Sequence, residues 1–241
     1  MGFPGRMTTE VTYTINENNT LGIAFEAKTT MPCPVNLMNH CFFCISGDPS
    51  WPITKENLTI YSNAITPIDN ELIPTGEICT IQKGSVFDFF GEAGEGKLVG
   101  RDIDTPDEQL SNGKGYDHNF VLMSREEATA KGASFDGKFE ITDDGVSVLN
   151  DTAKLAAKVK SNKSGITMTI VTTEPALQLF DCHDYTGSEI GKHNTPLPKY
   201  AAMALEPQHF PDSPNHPNFP NTILNIGEVF RSKSEYRFTT D

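Results

Sequence analysis

Apolar and polar residues alternate along much of the chain with a period of two, the signature of strands buried on one face. Residues 11–15 (VTYTI) and 21–29 show it, and 16–20 (NENNT) supplies turn chemistry between them, which predicts a hairpin. The same reading places strands at 57–61, 76–82, 119–123, 138–141, 146–149, 154–160, 165–173, 177–180, 203–205 and 229–238, with turns at 142–145 and 161–165. One short helix is expected over 125–131, because Ser124 and Glu127 form a capping box and Gly132 ends it. Many short strands and almost no helix predict an all-β fold, a sandwich of two antiparallel sheets. No repeat, low-complexity tract or linker divides the 241 residues, so one domain over 1–241 is expected.

One segment breaks the alternation. Residues 205–222 (LEPQHFPDSPNHPNFPNT) contain five prolines, each of which fixes φ and removes a backbone donor. An extended, irregular loop is expected there, held rigid by its own rings. It follows an apolar run, AAMAL, and its first polar residue is Glu206. A carboxylate at the junction of an apolar strand and a rigid loop can be aimed into a pocket. On chemistry alone it can equally be a solvated surface glutamate.

Composition narrows the partners. The net charge is −13, from 19 basic and 32 acidic residues, which argues against nucleic acid and anionic membranes. It also disfavours a phosphorylated ligand, which calls for clustered arginines. A neutral small molecule suits the balance. Five cysteines (Cys33, Cys41, Cys44, Cys79, Cys182) make an odd count, pointing to a reducing, cytoplasmic setting rather than a disulfide framework. Cys41-Phe-Phe-Cys44 has CxxC spacing, but its aromatic spacers read as a buried apolar strand, so no metal is expected and both thiols are expected to be reduced and largely buried. No apolar run approaches the roughly 20 residues that span a bilayer, and no signal peptide is evident.

Three patterns mislead. Gly91-Glu-Ala-Gly-Glu-Gly-Lys97 imitates a phosphate loop, yet Leu98 stands where a serine or threonine is needed and two glutamates would repel phosphate. Residues 102–107 suggest a calcium loop, but Pro106 and a missing central glycine spoil it. The Asn-x-Ser/Thr sequons carry no meaning without a secretory route.

The proline-rich segment, with its LE-x-Q start and PDSPN run, resembles the closing motif of the galactose mutarotase (aldose 1-epimerase) family. Four further segments match in the order that family requires: PVNLMNH at 34–40 followed by Phe42-Phe43, TPID at 66–69 through LIPTGE at 72–77, GYDHNFVL at 115–122, and TTEPALQL at 172–179. The resemblance implies the family's large β-sandwich with a sugar cleft on one face. It further implies interconversion of the α and β anomers of an aldohexose such as galactose or glucose, without cofactor or metal.

That reaction needs an acid at the ring oxygen and a base at the anomeric hydroxyl. By the motif match His40 is the acid and Glu206 the base, while Asp117 and Gln178 hold sugar hydroxyls. The two catalytic side chains are expected to face one cleft about a sugar ring apart. A core histidine and an Asx turn are the structural alternatives for His40 and Asp117. His118 either orients Asp117 or packs. The other histidines are assigned structural or surface roles.

Departures from the family pattern keep a second reading open, a non-catalytic carbohydrate-binding or structural homologue. Phe42 and Cys44 stand where a tyrosine and an asparagine are usual, and Pro207 replaces a threonine. The match begins at Gly2-Phe3-Pro4-Gly5, so roughly the first third of a typical member, with a sugar-binding arginine and histidine, is expected to lie outside this chain. Strand edges left open by an incomplete sandwich invite self-association, and the loss of those two sugar-binding side chains is expected to weaken turnover.

Overall fold

A computed structural model describes residues 2–133 and 153–240. The strands expected at 138–141 and 146–149, and the turn joining them, lie outside the described residues. Two antiparallel sheets carry the fold, as the alternation predicts. The first has seven strands in the order β1 (Met7–Asn16), β2 (Thr20–Thr29), β15 (Phe230–Thr240), β11 (Ile166–Thr172), β10 (Lys154–Lys160), β5 (Asn57–Ile60) and β8 (Lys97–Leu98). The second has six, β4 (Phe42–Phe43), β13 (Met203–Gln208), β12 (Ala176–Phe180), β9 (Asp117–Leu122), β6 (Ser62–Thr66) and β7 (Cys79–Thr80). A small ribbon pairs β14 (Ile223–Leu224) with β3 (Cys33–Pro34).

One apolar core lies between the sheets. Ile23, Leu58, Ile170 and Tyr236 from the first meet Phe120, Leu177, Leu179 and Leu205 from the second. The β1–β2 hairpin forms in full register from Met7 against Thr29 to Asn16 against Thr20. Val11, Tyr13 and Ile15 alternate along exposed β1 and stay open to solvent. The capped helix appears as α2 (Arg125–Ala130), with Ser124 and Glu127 capping reciprocally. Among the described residues no helix is long and apolar enough to cross a membrane.

Several local expectations fail for identifiable reasons. The 76–82 run holds only the two-residue β7, because β6 offers it a partner over Ala64 and Ile65 alone. A second helix, α1 (Glu108–Gly113), stands where none was expected; Asp107 caps it through the backbone N–H groups of Gln109 and Leu110. Cys41 is exposed and Cys44 half-buried, with neither in a disulfide, so the CxxC run is not a core strand. It lies at the sheet rim, where β4 pairs with β13 over two residues.

The largest correction concerns Glu206. It is not the first residue of a loop but an interior residue of β13, which continues through Pro207 to Gln208. Pairing with β4 ends at Ala204, so beyond that point one side of β13 is an edge and tolerates a proline. The irregular loop starts only afterwards and contains one 3-10 turn, Ser213–Asn215, with Asp212 in the left-handed region.

Candidate active site

Alternation across the six-stranded sheet builds the site. In β12, Leu177 and Leu179 point into the core, so Gln178 and Phe180 take the opposite face. The register sets Gln178 between Glu206 on β13 and Asn119 on β9, and Asn119 opposite Thr66 on β6. A polar row therefore crosses four strands, with Asn119 Nδ2 donating to Thr66 Oγ1 at 3.2 Å. The next row holds Asp117, Phe180 and Ala204. Gln178 Nε2 donates to Asp117 Oδ1 at 2.6 Å and ties the two rows together.

His40 arrives from the segment before β4. The pairs Met203–Phe43 and Ala204–Phe42 run antiparallel, and that register, continued by two residues, sets His40 opposite Glu206. Its Nε2 lies 3.3 Å from Glu206 Oε1. The ring sits against Phe42, with centroids 4.9 Å apart, and more distantly against Phe180. Asn39 Nδ2 donates to the buried Tyr236 hydroxyl at 3.4 Å. A two-bond clasp fixes the approach further back: Asn36 Nδ2 donates to the His209 carbonyl at 2.9 Å, and the His209 N–H donates to Asn36 Oδ1 at 3.1 Å. The clasp joins the segment bearing His40 to the one bearing Glu206. His209 is itself held by Glu174, with Nδ1 2.6 Å from Oε2.

His40, Asp117, Gln178 and Glu206 line one cavity of about 310 Å³. The expected common face is there, but the expected separation is not: the imidazole and carboxylate are in direct contact. Met38, Phe180, Gln208 and Pro211 complete the wall and were not singled out from the sequence. Strand alternation through ALQLF and LEPQ is the signal that marks Phe180 and Gln208. A larger hollow of about 670 Å³, lined by Phe3, Arg6, Leu37 and Phe210 among others, contains no histidine and none of these four residues.

The electrostatics separate the two partners. Glu206 is 4 % exposed while the His40 side chain is 45 % exposed. Burial, and secondarily the negative charge of Asp117, push the Glu206 carboxyl up to about 8. Asp117 is also raised, chiefly by burial, against the lowering effect of its Gln178 hydrogen bond.

His118 faces the other way, T-shaped against Phe87 at 4.8 Å. Its Nδ1 accepts the Asp117 backbone N–H at 3.1 Å, so it fixes the backbone of Asp117 and not its carboxylate; burial pulls it down to about 4. His183 is raised by its hydrogen bond to buried Asp181, 2.7 Å away, and its positive charge acts on Asp117. Asp181 also accepts the Tyr116 N–H at 2.8 Å. Gly115, at φ 145°, must be glycine because a Cβ there would stand 2.5 Å from Asp181 Oδ2.

Glu206 makes stability depend on pH. Its folded value lies above the ordinary 4.5, so the folded state holds a proton that the unfolded chain has released between about 4.5 and 8. The stabilisation is complete below 4.5 and disappears as pH rises through about 8. Glu206→Gln is expected to gain stability relative to the parent across that window, by on the order of a few kcal/mol at its top. Urea unfolding at intervals from pH 4.5 to 8.5 tests this, and parallel curves for the two proteins would refute it.

The aldose 1-epimerase family model matches residues 1–237 of the chain. The chain is 31 % identical over 242 aligned residues to aldose 1-epimerase of Escherichia coli, the match covering 100 % of this chain and 61 % of that protein. It is 30 % identical to galactose mutarotase of Mus musculus, over 99 % of this chain and 59 % of the relative. The chain thus spans about three fifths of the length of the curated relatives it matches. The crystal structure of an aldose epimerase homologue from C. elegans superposes with a TM-score of 0.75 at 22 % identity, covering 99 % of this chain and 62 % of that one, which establishes the shared fold. With the family's sandwich and a family-model match over nearly its whole length, the chain belongs to the aldose 1-epimerase family.

Proposed function

We propose that this chain carries the acid–base site of an aldose 1-epimerase acting on an aldohexose such as galactose or glucose. The observation that carries the reading is the contact between His40 and a buried Glu206 held up to about 8, beside an Asp117–Gln178 pair. A carboxylate with a raised proton affinity is a stronger base than an exposed one.

In the ring-opening step Glu206 takes the proton of the anomeric hydroxyl while His40 gives one to the ring oxygen. The bond between the anomeric carbon and the ring oxygen breaks, leaving an aldehyde, a protonated Glu206 and a neutral His40. Rotation about the adjacent carbon–carbon bond turns the other aldehyde face to the ring hydroxyl. Closure returns both protons and yields the opposite anomer.

Before a sugar enters, the two groups contact each other, so binding must part them. Glu206 is fixed in a strand, and His40, half-exposed in a segment outside regular structure, is the partner that moves. Asp117 and Gln178 supply acceptors and donors for ring hydroxyls, and Phe180 and Phe42 offer apolar faces to the sugar's C–H groups.

Polarimetry of freshly dissolved α-galactose and α-glucose tests the proposal. Relaxation faster than in buffer, proportional to protein concentration, is the expected result. Relaxation at the buffer rate with sugar still bound would assign the chain to the binding-only class.

A further inference from the structure

Gln208 follows Glu206 by two residues on β13, so it projects from the same face and lines the same cavity. It is 6 % exposed, yet among the described residues its side-chain amide makes no hydrogen bond. Its register partners are Ala176 on β12 and, beyond it, Val121 on β9. Neither side chain offers a polar group. Gln178 differs in part: its Nε2 is committed to Asp117, while its Oε1 is buried without a partner and is a second group open to a ligand. The Gln208 carboxamide, reached only through the cavity and bonded to no protein group, is free to hydrogen-bond whatever enters there.

We infer that Gln208 is a substrate-binding residue whose carboxamide hydrogen-bonds one hydroxyl of the sugar, on the side of the His40–Glu206 pair away from Asp117. The inference rests on the reading of the cavity as an aldose site. Along the strands the polar positions run Asp117, then the Gln178–Glu206 row, then Gln208, with successive rows about 7 Å apart. A sugar centred on Glu206 presents hydroxyl-bearing carbons on both flanks. Asp117 stands at one flank and Gln208 at the other.

The residue type suits the place. A carboxamide both donates and accepts, so it meets a hydroxyl in either sense. It is also neutral, whereas a third carboxylate here would add to the repulsion that already raises Glu206. Pro207 before it and Pro211 after it restrict the backbone that presents it.

Mutarotation and binding of α-galactose and its 2-, 3- and 6-deoxy analogues, measured for the parent, Gln208→Leu and Gln208→Met, test the inference. Methionine keeps the unbranched shape should leucine disturb folding. Both variants are expected to lose on the order of 10–100-fold in kcat/KM for galactose. One deoxy analogue, lacking the hydroxyl held by Gln208, is expected to be weakened already in the parent and to lose nothing more in the variants. Equal losses for every sugar, or no loss for any, would overturn the assignment.

Binding followed by saturation-transfer NMR keeps the two readings separable. A parent that binds galactose without turning it over defeats the epimerase proposal, yet the same comparison of dissociation constants still decides Gln208. A parent that binds none of these sugars overturns both.

Discussion

Replacing Glu206 by glutamine is expected to reduce the acceleration of galactose mutarotation by on the order of 10²–10⁴-fold. The amide keeps the shape of the side chain and lacks charge, as the carboxyl does below about pH 8. The strand, its Gln178 register and the cavity should therefore survive, and the loss reads the missing base. The deficit should also grow with pH. The parent gains its ionised base as pH approaches 8, while the variant has nothing to ionise, so the ratio of the two rates widens across that range. A ratio that stays flat from pH 6 to 8.5 would show that Glu206 does not supply the base.

Phe120→Ala is expected to destabilise the fold by about 3–5 kcal/mol, the usual range for emptying a large aromatic site in a core. Phe120 is fully buried. It stands opposite Leu177 and Ile65 in the register, with the rings of Phe87 and Phe89 at 6.2 and 6.0 Å. It shares β9 with Asp117 and Asn119 but faces the other way, so its loss strikes the support of the site and spares its chemistry. In a chain of this size such a cost lowers the melting temperature by roughly 10 °C. Denaturant unfolding and calorimetry measure it. A loss under about 1 kcal/mol would mean that the aromatic cluster does not anchor β9.

Much of this was legible in the residues, where local rules and tertiary context agree. The β1–β2 hairpin, β10 and the capped α2 follow from alternation, turn residues and a capping box, none of which needs a distant partner. Gln178 between two leucines announced its face in the same way. What escaped the sequence depends on partners far along the chain. The strands β3, β7, β8 and β14 are two residues each and exist because something pairs with them. Helix α1 is only six residues long, too short for a helical period to show, and Asp107 ahead of it is its one local mark. Pro207 marks a loop by local rules, and only the early end of β4 leaves β13 an edge that tolerates it. The contact of His40 with Glu206 arises from the β4–β13 register, which no local pattern displays.

That register makes the site discrete. Along β13 the residues alternate between cavity and core, so a slip of one position against β12 would carry Glu206 into the apolar interior and leave Leu205 in its place. Nothing lies between these two states. Insertions or deletions within β13 should therefore abolish the chemistry outright, whereas changes in the loop that follows can accumulate gradually. The ladder of backbone hydrogen bonds between β12 and β13 thus acts as the site's ruler, graduated in steps of two.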